Sequence, residues 1–313
     1  MPMAKKTIPD QELMYRGHAA CPGCGPALAM RLLLKGLGPR TILSIPACCW
    51  TVIATPFPTT ALAVPVLDNP IESTGASISG IRAALDALGV ADVTVVGFAG
   101  DGGTADIGLQ ALSGMLERRT DALFVMYDNE GYMNTGIQRS GATPRGAWTT
   151  TTPVEGERRG KREAKKEIMS IVLAHHPTYA ATANPAYPED FVRKAEKAAR
   201  LRGPRFLHVF APCPPGWKFS SEETIALGRL ATESGIFPLY EVEDGVVRIT
   251  RRTGTLKPVD EYVRRQGRFR HWTADDLHEL GDEVRLRWEQ LLARERASAP
   301  PSTPPGLPVG APA

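Results

Sequence analysis

A β-prone run, Val93–Phe98, ends in Ala99-Gly100-Asp101-Gly102-Gly103, and few folds accommodate that join. A strand with so little polar alternation must be covered on both faces, which is the condition of a strand inside a parallel sheet. A parallel neighbour needs a crossover of a dozen or more residues. The next segments supply one, with helical spacing over Asp106–Arg118 and a second apolar strand at Ala122–Tyr127. Other segments extend the alternation: helices at Pro26–Lys35, Ile71–Leu88, Glu157–His175 and Pro188–Leu201, and strands at Thr41–Ile45, Thr178–Thr182 and Arg205–Phe210. Right-handed crossovers between such strands give a doubly wound, mostly parallel α/β sheet.

Later residues change pattern. Leu239–Glu243 and Val246–Thr250 flank Asp244-Gly245, the signal of a type I′ hairpin. Thr273 with Asp276 forms a capping box that opens a last helix, with Leu277, Leu280, Val284, Trp288 and Leu291 as its apolar stripe. The expected organisation is an arm (1–14), an α/β domain (15–235), a hairpin-plus-helix extension (236–296) and a proline-rich tail unable to pack a core (297–313). Asn129–Gly156 is a long polar stretch, and loops of that length inside a compact domain are usually functional.

Charge excludes some partners. The formal net charge is only +3 over 313 residues. The basic runs Arg158–Lys166 and Arg264–Arg270 have acidic residues in or near them, and the first lacks stacking aromatics. They are expected as a solvated helix face or partner surface, with no nucleic-acid binding. No secretory pattern opens the chain, and no uninterrupted apolar run approaches the roughly 20 residues of a membrane span. Thr41–Leu67, broken by Pro46, Pro56, Pro58 and Pro65, reads as buried strand and loop. The expectation is a cytoplasmic protein without membrane contact, whose five cysteines serve a metal or reactive role rather than disulfides.

Two constellations carry chemistry. Glycines after a strand let backbone amides approach a phosphate, and Asp101 at the strand's carboxyl end suits Mg²⁺. The second strand ends in Asp128-Asn129, so neighbouring strand ends would put Asp101 and the Asn129 oxygen around one cation, with the Gly131 carbonyl as a third ligand. Separately, Cys21-Pro22-Gly23-Cys24, Cys49 and Cys213 form a plausible thiolate set for a [4Fe-4S] cluster. Four-thiolate zinc is the chemical rival, since spacing alone does not separate the metals.

Asn129 stands 28 residues after Asp101, which resembles the thiamine diphosphate motif. Tyr132-Met133-Asn134-Thr135-Gly136-Ile137-Gln138-Arg139-Ser140 and Ala142–Trp148 are more specific. They resemble the β subunit of pyruvate:ferredoxin oxidoreductase, as do Cys21–Gly25 and Ala211–Trp217, over roughly residues 15–250. The resemblance implies Mg²⁺ on Asp101, Asn129 and Gly131, and Gly100, Gly102, Gly103 and Asp106 beside the diphosphate. It places Asn134 near the reacting end of the cofactor, and a [4Fe-4S] cluster on Cys21, Cys24, Cys49 and Cys213. Cys48 departs from the pattern, either as a buried thiol or as the ligand in place of Cys49. His18 reads as a structural residue or a donor to the cluster or diphosphate, and Trp148 and Trp217 as packing or as shields.

The implied reaction is oxidative decarboxylation of pyruvate with coenzyme A, electrons leaving singly through the cluster to ferredoxin. No second closely spaced cysteine set and no Gly-x-Gly-x-x-Gly fingerprint occurs. Electrons are therefore expected to leave through another polypeptide, and the resemblance implies an α-type subunit supplying the glutamate that contacts the aminopyrimidine, together with γ-type and ferredoxin-like δ subunits. Two alternatives stand beside this: the same chemistry on oxalate, 2-oxoglutarate or a branched-chain acid, and a zinc-stabilised, non-enzymatic scaffold.

Overall fold

The computed structural model describes residues 8–55 and 58–299. In chain order the elements are α1 (Gly25–Leu37), β1 (Thr41–Pro46), α2 (Cys49–Ile53), β2 (Val66–Asn69), α3 (Thr74–Ala87), β3 (Thr94–Gly100), α4 (Leu109–Glu117), β4 (Leu123–Asp128), β5 (Val154–Glu155) and β6 (Arg158–Arg159). They continue with α5 (Ile168–Leu173), β7 (Tyr179–Ala183), α6 (Pro188–Arg200), β8 (Arg205–Phe210), α7 (Pro214–Trp217), α8 (Thr224–Glu233), β9 (Tyr240–Glu243), β10 (Val246–Ile249), α9 (Val259–Val263) and α10 (Ala274–Ser298).

Eight strands form one sheet in the order β10-β9-β7-β8-β4-β3-β1-β2. All neighbours pair in parallel from β7 through β2, while the β9–β10 hairpin adds antiparallel to β7. The apolar strands are explained by alternation between two covered faces. Val96, Phe98, Leu123, Val125 and Tyr127 pack into the core under α1 and α6, and Val95, Ala99, Phe124 and Met126 into the core under α3 and α4. At the hairpin, Asp244 and Gly245 hold φ of 46° and 85°, as a type I′ turn requires.

The strand order fixes where the site lies. β8, β4, β3 and β1 are consecutive and parallel, so their carboxyl ends share one edge. Cys213, Asn129, Asp101 and Cys48-Cys49 follow those four ends within a few residues. Gly25 at the start of α1 joins them, donating from its N–H to Pro212 O at 3.0 Å. Ligand sites of open α/β sheets lie at this edge.

Several elements differ from expectation. The helix expected over Glu157–His175 is limited to Ile168–Leu173, and the preceding residues form the β5–β6 hairpin and an extended segment. The cause is internal: Lys161 and Lys165 turn inward to carbonyls and carboxylates of the site, and Lys166, though exposed, donates to the Ala105 carbonyl. The solvated helix face expected for Arg158–Lys166 is therefore not formed. Thr41–Leu67 contains the short helix α2, and β2 at its end is an exposed edge strand. Gly102–Asp106 forms a π-type turn before the regular helix begins at Leu109. On α10 only Val284 and Leu291 are fully buried. His175, at the end of α5, shares a hydrogen bond with the Ser113 hydroxyl at 2.8 Å. The start of the arm and the proline-rich tail beyond 299 lie outside the described residues. Among the described residues no helix is long and apolar enough to cross a membrane.

Candidate functional site

Asp101 is fully buried at the end of β3. Burial and the neighbouring Asp128 push its carboxyl well above the usual range, and the Ser140 hydroxyl donates to it. The Asn129 amide places one terminal atom 2.7 Å from Asp101 Oδ1 and 3.0 Å from Gly131 O. As nitrogen that atom donates to both; as oxygen it completes three convergent acceptors. Oxygens in neighbouring positions of an Mg²⁺ octahedron stand about 3 Å apart, so the expected ligand trio has the spacing of such a site. With the oxygen inward, the amide nitrogen faces Cys49 Sγ at 4.0 Å.

The surrounding loop is held by hydrogen bonds. Asp106 accepts from Gly141 N at 2.8 Å, from the Tyr132 hydroxyl at 3.2 Å and from Lys166 Nζ at 2.7 Å. It therefore ties the loop to the π-type turn. A Cβ at Gly102 would lie 2.2 Å from Tyr132 Cε1, so the residue must be glycine for Tyr132 to reach this turn. The carbonyl of Glu130, which holds φ 64°, accepts from the Thr143 hydroxyl at 2.7 Å. Lys161 is buried and donates to the carbonyls of Thr143 at 2.7 Å and Ala164 at 3.0 Å. Burial lowers it to about 8.

Behind the Asp128–Gly131 turn lies a charged network. Lys165 Nζ reaches Asp128 Oδ2 at 2.7 Å and Glu130 Oε1 at 2.6 Å. His208 Nε2 meets the same Asp128 oxygen at 2.7 Å, and Arg268 meets Glu130 Oε2 at 2.5 Å. Burial alone would raise Asp128, but Lys165 and His208 overcome it and hold the carboxyl at about 2. Trp217, fully buried, donates from Nε1 to Asn129 O at 2.7 Å, so it anchors the turn by its polar end.

The four expected cluster cysteines gather on one side of this turn. Cys24 lies within electrostatic reach of Cys49 and Cys21, and Cys213 of Cys24 and Cys21. Cys49 is close to Cys213 and accepts the backbone N–H of Asn134. Burial pushes Cys24, Cys49 and Cys213 each up to about 12, while Cys21 is exposed. Cys48, next to Cys49 and partly buried against the same core, is hydrogen-bonded to the Tyr127 hydroxyl. Among the described residues no three His, Cys, Asp or Glu side chains converge tightly enough to enclose a single ion. Asn134 is exposed on the loop beside Cys49. His18 is exposed, its Nδ1 accepting from Ala20 N at 3.3 Å, and Trp148 carries Lys218 Nζ 3.1 Å above its ring.

Residues 68–209 match the C-terminal TPP-binding domain of thiamine pyrophosphate enzymes. The chain is 51% identical over 292 residues to the ketoisovalerate oxidoreductase subunit VorB of Pyrococcus abyssi, covering 91% of this chain and 94% of that one. It is 48% identical to the pyruvate synthase subunit PorB of Methanocaldococcus jannaschii, over 87% and 94% of the two chains. The chain belongs to the β subunits of 2-oxoacid:ferredoxin oxidoreductases. The PorB of Thermotoga maritima is 44% identical, with 90% and 92% covered. A 2-oxoglutarate:ferredoxin oxidoreductase from Magnetococcus marinus shares the fold, with TM-score 0.56 at 19% identity, over 73% of this chain and 82% of that one. The stretch matched as a TPP-binding domain contains the Asp101–Asn129–Gly131 trio, whereas the four gathered cysteines and Arg268 all lie outside it.

Sequence reasoning missed Lys165, Glu130, His208 and Arg268. The clearest signal was left by His208, an imidazole inside an otherwise apolar stretch of β8.

Proposed function

We propose that this chain is the thiamine-diphosphate-holding β subunit of a pyruvate:ferredoxin oxidoreductase. The complex would convert pyruvate and coenzyme A to acetyl-CoA and CO₂, passing two electrons singly through a [4Fe-4S] cluster to ferredoxin. One observation carries the reading: Asn129 stands 4.0 Å from Cys49 Sγ while its amide touches Asp101 and Gly131. A single side chain would thus separate the proposed diphosphate-anchoring cation site from a thiolate, which suits transfer of electrons from one centre to the other. When bound, thiamine diphosphate supplies the carbanion that adds to the 2-oxo carbon, and the cluster accepts single electrons.

The chain's own residues have separable tasks. Asp101, Asn129 and the Gly131 carbonyl would hold Mg²⁺, and the turn Gly100–Gly103 with Asp106 would border the diphosphate. Asn134, exposed next to Cys49, would orient the reacting end of the cofactor and the substrate. Cys21, Cys24, Cys49 and Cys213 would each take one iron. A cluster rather than zinc suits a ferredoxin-linked oxidoreductase, since zinc carries no electrons. Cys48, in contact with Tyr127, would stand outside this set. An α-type subunit would supply the missing glutamate, with γ-type and ferredoxin-like δ subunits completing a cytoplasmic complex.

A second reading, a branched-chain 2-oxo acid as substrate, is favoured by the 51% identity to the ketoisovalerate subunit. The deciding experiment is coenzyme A-dependent ferredoxin reduction by the assembled complex with pyruvate and with 2-oxoisovalerate. A higher kcat/KM for pyruvate upholds the first reading, and the reverse order replaces it with the second. No reduction with any 2-oxo acid rejects both.

A further inference from the structure

The C-terminal extension lies beyond the stretch matched as a TPP-binding domain, yet it delivers one side chain into the middle of the site. Arg268 follows α9 in a single 3₁₀ turn, Gly267–Phe269, and is 2% exposed. Its guanidinium meets Glu130 Oε2 at 2.5 Å and Gln266 Oε1 at 2.9 Å. The Cζ of the same group lies over the Trp217 ring, 4.0 Å from its centre. Trp217 closes α7, the short helix that begins directly after Cys213, and donates to Asn129 O at 2.7 Å. The Arg268 charge is near enough to act on Cys213. Its backbone carbonyl accepts from Trp148 N at 3.0 Å, which brings in the long loop.

We propose that Arg268 is a positioning residue: by pairing with Glu130 and stacking on Trp217, it holds the Asp128–Gly131 turn and the Cys213–Trp217 segment in one register. The planar fork is what makes both contacts possible at once, since a lysine ammonium offers a point charge without a stacking face. The group serves the metal turn through Glu130, whose neighbour Asn129 faces the cation, and the cluster segment through the indole and its positive charge. Outer partners of this kind, when removed, cost roughly 10–100-fold in metal affinity. A cation beside a cluster also favours the reduced form, which carries one more negative charge. The inference rests on the proposed cofactor and cluster sites, and its test reads each separately.

The experiment compares wild-type, Arg268→Gln and Arg268→Lys complexes assembled with their partner subunits. The first readout is Mn²⁺ affinity in the presence of thiamine diphosphate, followed by the EPR signal of free Mn²⁺ after cofactor removal. The second is the midpoint potential of this chain's cluster, from a potentiometric titration watched by EPR. For Arg268→Gln we expect Mn²⁺ affinity lowered roughly tenfold or more and a more negative potential. Arg268→Lys, keeping charge but not fork, should retain the potential and show an intermediate Mn²⁺ affinity. Should Arg268→Gln fail to assemble because Glu130 Oε2 loses its partner, Glu130→Gln/Arg268→Gln removes both charges and should assemble with the lowered Mn²⁺ affinity but a potential near the wild type's. Wild-type affinity and potential in assembled, cluster-loaded Arg268→Gln, or wild-type affinity in the double variant, overturn the proposal. A wild-type complex that binds no Mn²⁺ with thiamine diphosphate, or holds no cluster, overturns instead the functional reading beneath it.

Discussion

Replacing Lys165 by Met should remove the cation on which two buried carboxylates converge. Its Nζ stands 2.7 Å from Asp128 Oδ2 and 2.6 Å from Glu130 Oε1, whose side chains are 0% and 4% exposed. Breaking one buried pair by deleting a partner costs about 3–5 kcal/mol. Here each carboxylate keeps a second partner, His208 for Asp128 and Arg268 for Glu130, so the low end applies, about 3 kcal/mol at pH 7. The sign with pH follows from Asp128, held down at about 2 from an ordinary 3.8. A depressed carboxyl contributes stability that is complete above its unfolded pKa and lost as pH falls through its folded one. The wild type should therefore lose this contribution between about pH 4 and pH 2. In the variant Asp128 protonates at higher pH, so the gap between the two proteins should narrow as the medium is acidified. The assay is urea denaturation of the assembled protein at pH 7 and pH 3, with Lys165→Arg as the charge-retaining control. A deficit of the same size at both pH values would refute the electrostatic reasoning and assign the loss to packing.

Other substitutions separate the parts of the site. Asp101→Asn removes the charged ligand of the oxygen trio, and thiamine diphosphate binding, measured by calorimetry with Mg²⁺, should fall at least tenfold. Cys24→Ala should leave that binding intact while abolishing ferredoxin reduction; reduction near the normal rate would remove the cluster from the pathway. Cys48→Ala should retain full iron content and Cys49→Ala should not, and the opposite result would exchange their roles. Gly102→Ala drives a methyl group into the Tyr132 ring, 2.2 Å from Cε1. Overpacking of that kind costs about 1–3 kcal/mol, and the lowered thermal midpoint should come with weaker diphosphate binding.

What could be read from the residues alone were features encoded locally. The apolar runs at β3 and β4 require cover on both faces, and the cores under α1–α6 and α3–α4 provide it. Gly-Asp-Gly and Asp-Asn mark neighbouring strand ends, and the structure brings Asp101 Oδ1 and Gly131 O to 2.7 and 3.0 Å from one terminal atom of the Asn129 amide. The lysines of 161–166 were illegible because a run of like charge has the same pattern whether it faces water or a ring of carbonyls. The weak sign was a lack of apolar residues at helical spacing, with only Ala164 among Lys161–Glu167. Arg268 and Glu130 are 138 residues apart, and no spacing rule joins such a pair. β2 escaped notice because an exposed edge strand needs no apolar alternation.

The central claim is that this chain holds an iron–sulfur cluster beside a thiamine site. The most direct test is the iron, acid-labile sulfide, zinc and thiamine diphosphate content of the complex purified without oxygen. The account predicts about four irons and four sulfides for this chain beyond those of its partners, one thiamine diphosphate, and no zinc. Zinc without sulfide would contradict it and leave the Asp101–Asn129–Gly131 trio to be explained without electron transfer.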